Sequence, residues 1–139
     1  MKKSTSGFTL VELLVVLIIL GLVASIAGPN VMKYLGSSKS KTAKLQIKEI
    51  ESALELYFLD TGQYPPNDQG LNLLIKNEVS VMGWNGPYFK QADVPKDPWG
   101  FDYVYLMPGE HAAFDLVSLG ADNQPGGEND DKDITNWDR

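Results

Sequence analysis

The sequence predicts an α+β chain, with one long N-terminal helix packed on a small antiparallel sheet and an irregular loop at the C-terminal end. Three observations carry that reading. Phe8 to Gly28 is almost uninterruptedly apolar, with Glu12 as its only charge. Ala43, Ile47, Ile50, Leu54 and Tyr57 then recur at three- and four-residue steps, the spacing of one helix face. After Gly62 the pattern breaks into prolines, aromatics and short alternating runs.

The elements follow in order. Residues 1–7 form a short polar leader containing Lys2 and Lys3. Residues 8–28 form a membrane-type helix, because 21 apolar-rich residues at about 1.5 Å each span roughly 30 Å, one hydrocarbon core. Residues 29–62 continue as an amphipathic helix whose stripe is widened by Phe58 and which stops at Gly62. Gly21, Gly28 and Pro29 are weak points in this stem, since glycine lowers helix stability by about 1 kcal/mol and interior proline by about 3.

Residues 63–139 make the small domain. Tyr64-Pro65-Pro66 opens it with an extended turn. Asp68 is positioned to cap a short helix bearing Leu71, Leu74 and Ile75. Residues 83–100 read as an irregular loop pinned by Trp84, Tyr88, Phe89 and Trp99. Phe101, Tyr103 and Tyr105 alternate as a strand, Pro108-Gly109 turns, and 112–118 returns as a second strand.

Composition bounds the function. The net charge of −6 is unevenly spread: Lys33, Lys39, Lys41, Lys44 and Lys48 precede the next acid, Glu49, whereas eleven acids from Asp93 onward face only Lys96, Lys132 and Arg139. That balance argues against nucleic-acid binding, which needs a basic surface. The lysine stretch reads either as a solvated helix face or as an attraction to acidic regions of neighbouring subunits. There is no cysteine, so no disulfide fastens the loops. Catalysis has little support: His111 is the only histidine, and neither a nucleophile motif nor a phosphate-binding glycine loop is present. The chain reads as a protein that is not an enzyme.

Two features carry chemistry. Glu12 is costly inside a lipid-soluble helix, by several kcal/mol at mid-bilayer, so it marks a functional contact. An ordinary signal peptide would explain the lysines and a small-residue site at Ser25 and Ala27, but neither the length of the apolar run nor Glu12. The second feature is the acidic loop. Asp122 is followed by the Pro125-Gly126-Gly127 hinge and then by Glu128, Asp130, Asp131 and Asp133. Crowded carboxylates repel unless a cation neutralises them, and calcium takes six to eight oxygens from such loops. Asp122 and Asp133 match positions 1 and 12 of an EF-hand, but Gln124 and Gly126 occupy ligand positions, so it is not one. A solvated acidic loop is the other reading of these residues.

The run Gly7-Phe8-Thr9-Leu10-Val11-Glu12 resembles the class III signal of type IV pilins and pseudopilins. Together with Asp60–Pro66, Gly70-Leu71 and Asp97-Pro98-Trp99-Gly100, it resembles the major pseudopilins of type II secretion systems over nearly the whole chain. The resemblance implies a pilin-like fold and a homopolymer, the pseudopilus, that drives folded proteins across the outer membrane. It implies cleavage by a prepilin peptidase between Gly7 and Phe8, N-methylation of Phe8, and a role for Glu12 in assembly. It also implies a single-pass inner-membrane protein with a periplasmic domain, working with minor pseudopilins and an inner-membrane assembly platform.

By the same resemblance the C-terminal loop holds Ca2+, through the Leu119 carbonyl and the carboxylates of Asp122 and Asp133. The family's adjacent aspartate pair is Lys132-Asp133 here, with Asp131 one position earlier as a substitute. The alternative is a type IV pilin used for adhesion, motility or DNA uptake, although such pilins usually close this loop with a disulfide. A membrane-anchored domain that never assembles leaves Glu12 and the Gly7-Phe8 junction unexplained.

Overall fold

The computed structural model describes residues 7–138, so the leader residues 1–6 lie outside the described part. Helix α1 runs Leu10–Thr61 and contains Pro29. The chain forms two compact units, Met1–Leu35 and Gly36–Arg139.

In the first unit the apolar side chains of the helix are exposed from Phe8 onward. By length and composition this is the one helix among the described residues able to cross a membrane. The helix runs on through Gly28 and Pro29, although Pro29 has no N–H to donate. The weakness predicted there is not expressed as a break in this state.

In the second unit α1 buries the face that the spacing predicts. Ala43, Ile47, Ile50, Leu54 and Tyr57 are all covered, with Ala53 closing the gap between them. Phe58 departs from that stripe: it is 40% exposed and stacks on Tyr64 at 4.8 Å instead of entering the core. Gly62 ends the helix in the left-handed region (φ 77°), and its N–H bonds to the Phe58 carbonyl at 2.8 Å.

The short helix is a 3-10 turn, Gly70–Leu74, preceded by Gln69, and no side chain caps it. Asp68 therefore does not act as its cap. Rather than a capped α-helix, the turn is positioned by burial of Leu71, Leu73 and Leu74.

The sheet is antiparallel with the order β1 (Val104–Leu106), β2 (Asp115–Ser118) and β3 (Ile134–Thr135). Tyr105 pairs with Leu116 and Ser118 with Ile134. The alternation predicted over 101–105 yields pairing only from Val104, because Asp97 holds the preceding loop. The buried Asp97 carboxylate accepts N–H bonds from Trp99 and Phe101 and the Ser118 hydroxyl at 2.6 Å. β3 lies in the segment expected to be wholly irregular.

Side-chain ties join these parts. Tyr103 donates its hydroxyl to Gln46 on α1 at 2.8 Å. Tyr105 donates to the Pro65 carbonyl at 2.9 Å, and Tyr88 to Asp60 at 2.8 Å. Burial pushes the Tyr103 and Tyr105 phenols well above their usual range, so both remain neutral donors. Trp84, Tyr88 and Trp99 pack against the core and Phe89 enters it, so the aromatic residues of the irregular loop serve as structure.

Candidate functional site: the helix start and the C-terminal acidic loop

At the start of α1, Gly7 and Phe8 are exposed, and a Cβ at Gly7 would meet nothing within 4 Å among the described residues. Thr9 and Glu12 then bond reciprocally. The Thr9 N–H and hydroxyl donate to the Glu12 carboxylate at 3.0 and 2.9 Å, and the Glu12 N–H donates to the Thr9 hydroxyl at 3.2 Å. This is a capping box, which satisfies N–H groups that a helix start leaves open. Glu12 therefore has a local partner that the reading of it as a lone carboxylate missed. The signal was present as Thr9-x-x-Glu12 ahead of an apolar run.

The C-terminal loop is built on glycines. Gly120 has φ 70°, and a Cβ there would strike the main chain of Asp130 and Asp131. The Ala121 N–H reaches the Asp130 carbonyl at 2.9 Å, which closes the loop at that point. Gly127 has φ 86° and lies as tightly against Asp131. Only glycine allows these approaches.

At the far end Asp133 and Gly126 bond twice. The Gly126 N–H donates to Asp133 Oδ2 at 2.9 Å, and the Asp133 N–H to the Gly126 carbonyl at 3.2 Å. The other carboxylate oxygen of Asp133, Oδ1, is buried and has no hydrogen-bond partner among the described residues. Leu119 and Asp131 are half-buried beside this fold-back, whereas Asp122 is exposed and accepts the Gln124 N–H at 3.0 Å. The loop thus brings residues 120–121 onto 130–131 and Gly126 onto Asp133. It does not gather Asp122, Asp131 and Asp133, for among the described residues no three carboxylate or imidazole groups converge as a metal cage.

A hard cation is nevertheless matched in part. An orphaned carboxylate oxygen is what such an ion satisfies, and calcium sites draw several of their oxygens from backbone carbonyls. Among the described residues the one lysine–carboxylate pair is Lys96–Asp102, and His111 contacts Asp115, so no direct ion pair neutralises the loop acids.

A third cluster was not foreseen. Asp115, buried on β2, accepts N–H bonds from Glu110, His111 and Ala112 and contacts His111 Nδ1 at 2.9 Å. Burial alone would push this carboxyl up, but the imidazole and the three N–H groups outweigh it and hold it below the usual range. His111 also stacks on Trp137 at 4.0 Å. The histidine therefore fastens the β1–β2 turn to the C-terminal tail.

Residues 30–137 match the family described as type II secretion system protein G, and residues 2–28 match the prokaryotic N-terminal methylation motif. The chain belongs to the type II secretion system protein G family. It is 45% identical to a type II secretion system core protein G of Pseudomonas aeruginosa, an alignment covering 99% of this chain and 98% of the relative. It is 44% identical to one of Vibrio cholerae, over 99% and 94%.

A crystal structure of the major pseudopilin from the type 2 secretion system of enterohaemorrhagic Escherichia coli matches with a TM-score of 0.63 and 33% identity, covering 78% of this chain and 95% of that one. The resemblance drawn from Gly7–Glu12, Asp60–Pro66 and Asp97–Gly100 is borne out, and so is the pilin-like fold. The type IV pilin alternative is not favoured by protein G family membership. Asp60 and Asp97 act as structural anchors in this chain, since both accept hydrogen bonds within the domain.

Proposed function

We propose that this chain is the structural subunit that polymerises into the pseudopilus of a type II secretion system and drives folded proteins across the outer membrane. The observation that supports this best is the exposed apolar half of α1, joined to a domain of the protein G family and preceded by the methylation motif. Such a surface needs lipid around it in the membrane and other copies of itself in a fibre.

Before assembly, α1 crosses the inner membrane once. Lys2 and Lys3 stay on the cytoplasmic side and the Gly36–Arg139 unit faces the periplasm. A prepilin peptidase cuts between Gly7 and Phe8, and Phe8 becomes the N-methylated first residue. The exposed Gly7 suits that step, since among the described residues a Cβ there would meet nothing within 4 Å. The new amine at Phe8 is the natural counter-charge for Glu12 of an adjoining copy, in a low dielectric that strengthens the pairing. Minor pseudopilins and an inner-membrane assembly platform complete the set of partners, and the protein itself is not an enzyme.

In the same reading Asp133, Asp131, Asp122 and the Leu119 carbonyl hold a calcium ion. When bound, the ion neutralises crowded carboxylates and braces a loop that lacks a disulfide. The orphaned Oδ1 of Asp133 supports it, and the Asp122 oxygen not bonded to Gln124 is open to join.

The deciding experiment is the intact mass and N-terminal residue of membrane-extracted protein, together with electron microscopy of fibres sheared from overproducing cells. The expected result is a methylated chain starting at Phe8 and fibres containing it. A chain starting after Ala27, or one never found in fibres, would sink the proposal.

A further inference from the structure

The membrane-type half of α1 is followed by a basic flank. Lys33, Lys39, Lys41, Lys44 and Lys48 come before any acid, against Lys2 and Lys3 on the other side of the span. Lysines beside a span ordinarily stay in the cytoplasm, but a segment as long as Gly36–Arg139 is translocated largely regardless of charge. These five lysines therefore do not set the orientation, and a different role accounts for them. All five are exposed, and none forms an ion pair among the described residues.

Exposed apolar surface continues past Gly28 to the first of them. Val31, Met32 and Tyr34 are 55%, 69% and 77% exposed. Lys33, between Met32 and Tyr34, stands five residues beyond Gly28, about 8 Å of helix. The polar layer of a bilayer is roughly 5–8 Å deep on each side of its hydrocarbon core, so Lys33 and Tyr34 reach headgroup depth when Phe8–Gly28 fills that core. Tyrosine favours this depth, since its ring is apolar and its hydroxyl wet. A lysine there lays its stem along apolar groups while its ammonium reaches the polar layer.

From this we infer that the flank beginning at Lys33 binds the anionic phospholipid headgroups of the leaflet facing the periplasm. The inference rests on the single-pass reading above and adds the lipid chemistry that suits the stored subunit. Basic residues beside a span are drawn to an anionic surface, and the attraction decays within a Debye length, about 8 Å at physiological salt. Lys33 therefore gains most, and Lys39 and Lys41 add to it. An acid of a second copy is the other counter-charge for these lysines. It is present only once copies have met, whereas headgroups surround every stored subunit. A subunit leaving the bilayer for a fibre gives these contacts up, so lipid charge sets how tightly the store is held.

Lysine reactivity tests it. The full-length chain is reconstituted into vesicles of phosphatidylcholine alone, or of phosphatidylcholine mixed with phosphatidylglycerol. Both are treated with a neutral, membrane-permeant acetylating reagent, and acetylation at each lysine is timed by mass spectrometry. A phosphate contact shields the amine, so Lys33, Lys39 and Lys41 should react about fivefold more slowly in the anionic vesicles, the equivalent of about 1 kcal/mol each. Protection should fade toward Lys48, and about 1 M salt should remove it, since charges then act over only about 3 Å. Lys76 and Lys90, exposed and without an ion pair among the described residues, are the reference and should react equally in both vesicles. Equal rates at Lys33 in the two vesicles would overturn the inference, and if both are slow relative to Lys76 the flank faces a neighbouring copy instead. Slowing of Lys76 and Lys90 to the same extent would overturn it too, as a general effect of vesicle charge. If the chain floats with neither vesicle, the membrane reading fails first and this contact falls with it.

Discussion

The Asp130 carboxylate lies over the α-carbon of Gly36, in the space that a Cβ on that helical residue would fill. This contact seats the acidic loop on α1, and no feature of the sequence around Gly36 announces it. Glycine is a poor helix residue, by about 1 kcal/mol relative to alanine, so its presence here is explained by the loop it admits.

Gly36→Ala should change stability by less than about 1 kcal/mol, since the helix gain offsets the displacement of one short carboxylate. In an Asp130→Ala background the obstacle is gone, and the same Gly36→Ala change should stabilise by about 1 kcal/mol. Gly36→Val, with a branched side chain, should cost about 1–3 kcal/mol with Asp130 in place and less in the Asp130→Ala background. Thermal unfolding of the four alanine combinations and the two valine variants checks the coupling. Additive alanine effects would show that the two residues do not interact.

Glu12 caps the start of α1, and substitutions separate that role from the one proposed for it in assembly. Glu12→Gln keeps an oxygen for the Thr9 bonds but removes the charge, whereas Glu12→Ala removes both at a cost of about 1 kcal/mol to the helix start. If charge is what assembly uses, both variants insert and are processed yet give no fibres. Normal fibres from Glu12→Gln would assign the residue to capping alone.

Calcium should raise the melting temperature and chelator should lower it, by RT ln(1 + [L]/Kd), about 2.7 kcal/mol at a hundredfold excess over Kd. Asp133→Asn should abolish the response to calcium. It should also cost less in chelator than in calcium, because one oxygen of Asp133 is unpartnered without the ion. Identical wild-type melts in calcium and chelator would leave the loop as merely solvated.

Asp115 sets an acid limit. Its folded-state pKa lies below the ordinary carboxylate value of about 4, so it stabilises the fold above that value and loses the contribution as pH falls through its folded pKa. Asp115→Asn should cost about 2–3 kcal/mol at neutral pH, since a buried charged acceptor of several N–H groups is lost. It should also flatten the decline in stability below about pH 5. Melting curves of both proteins from pH 7 to pH 3 give the comparison, and parallel curves would exclude Asp115 as a contributor.

Local order determined what could be read without coordinates. Glu12 stood out because one charge interrupts an apolar run, and the stripe from Ala43 to Tyr57 emerged because helical periodicity is a property of neighbours in sequence. Gly62 was legible as a stop for the same reason, since chain reversal there needs a positive φ. The loop glycines could be recognised as a hinge, though not their partners.

Tertiary structure decided the rest. The two residues of β3 form a strand only because β2 offers an open edge beside them. Asp68 lost its predicted capping role because burial of three leucines positions the turn instead. The unpaired oxygen of Asp133, the hub at Asp115 and the seat of Asp130 on Gly36 all join residues through space. Composition showed that carboxylates were plentiful near the C-terminus, but only burial and distance determined which of them are satisfied by the chain itself and which keep an oxygen without a partner among the described residues.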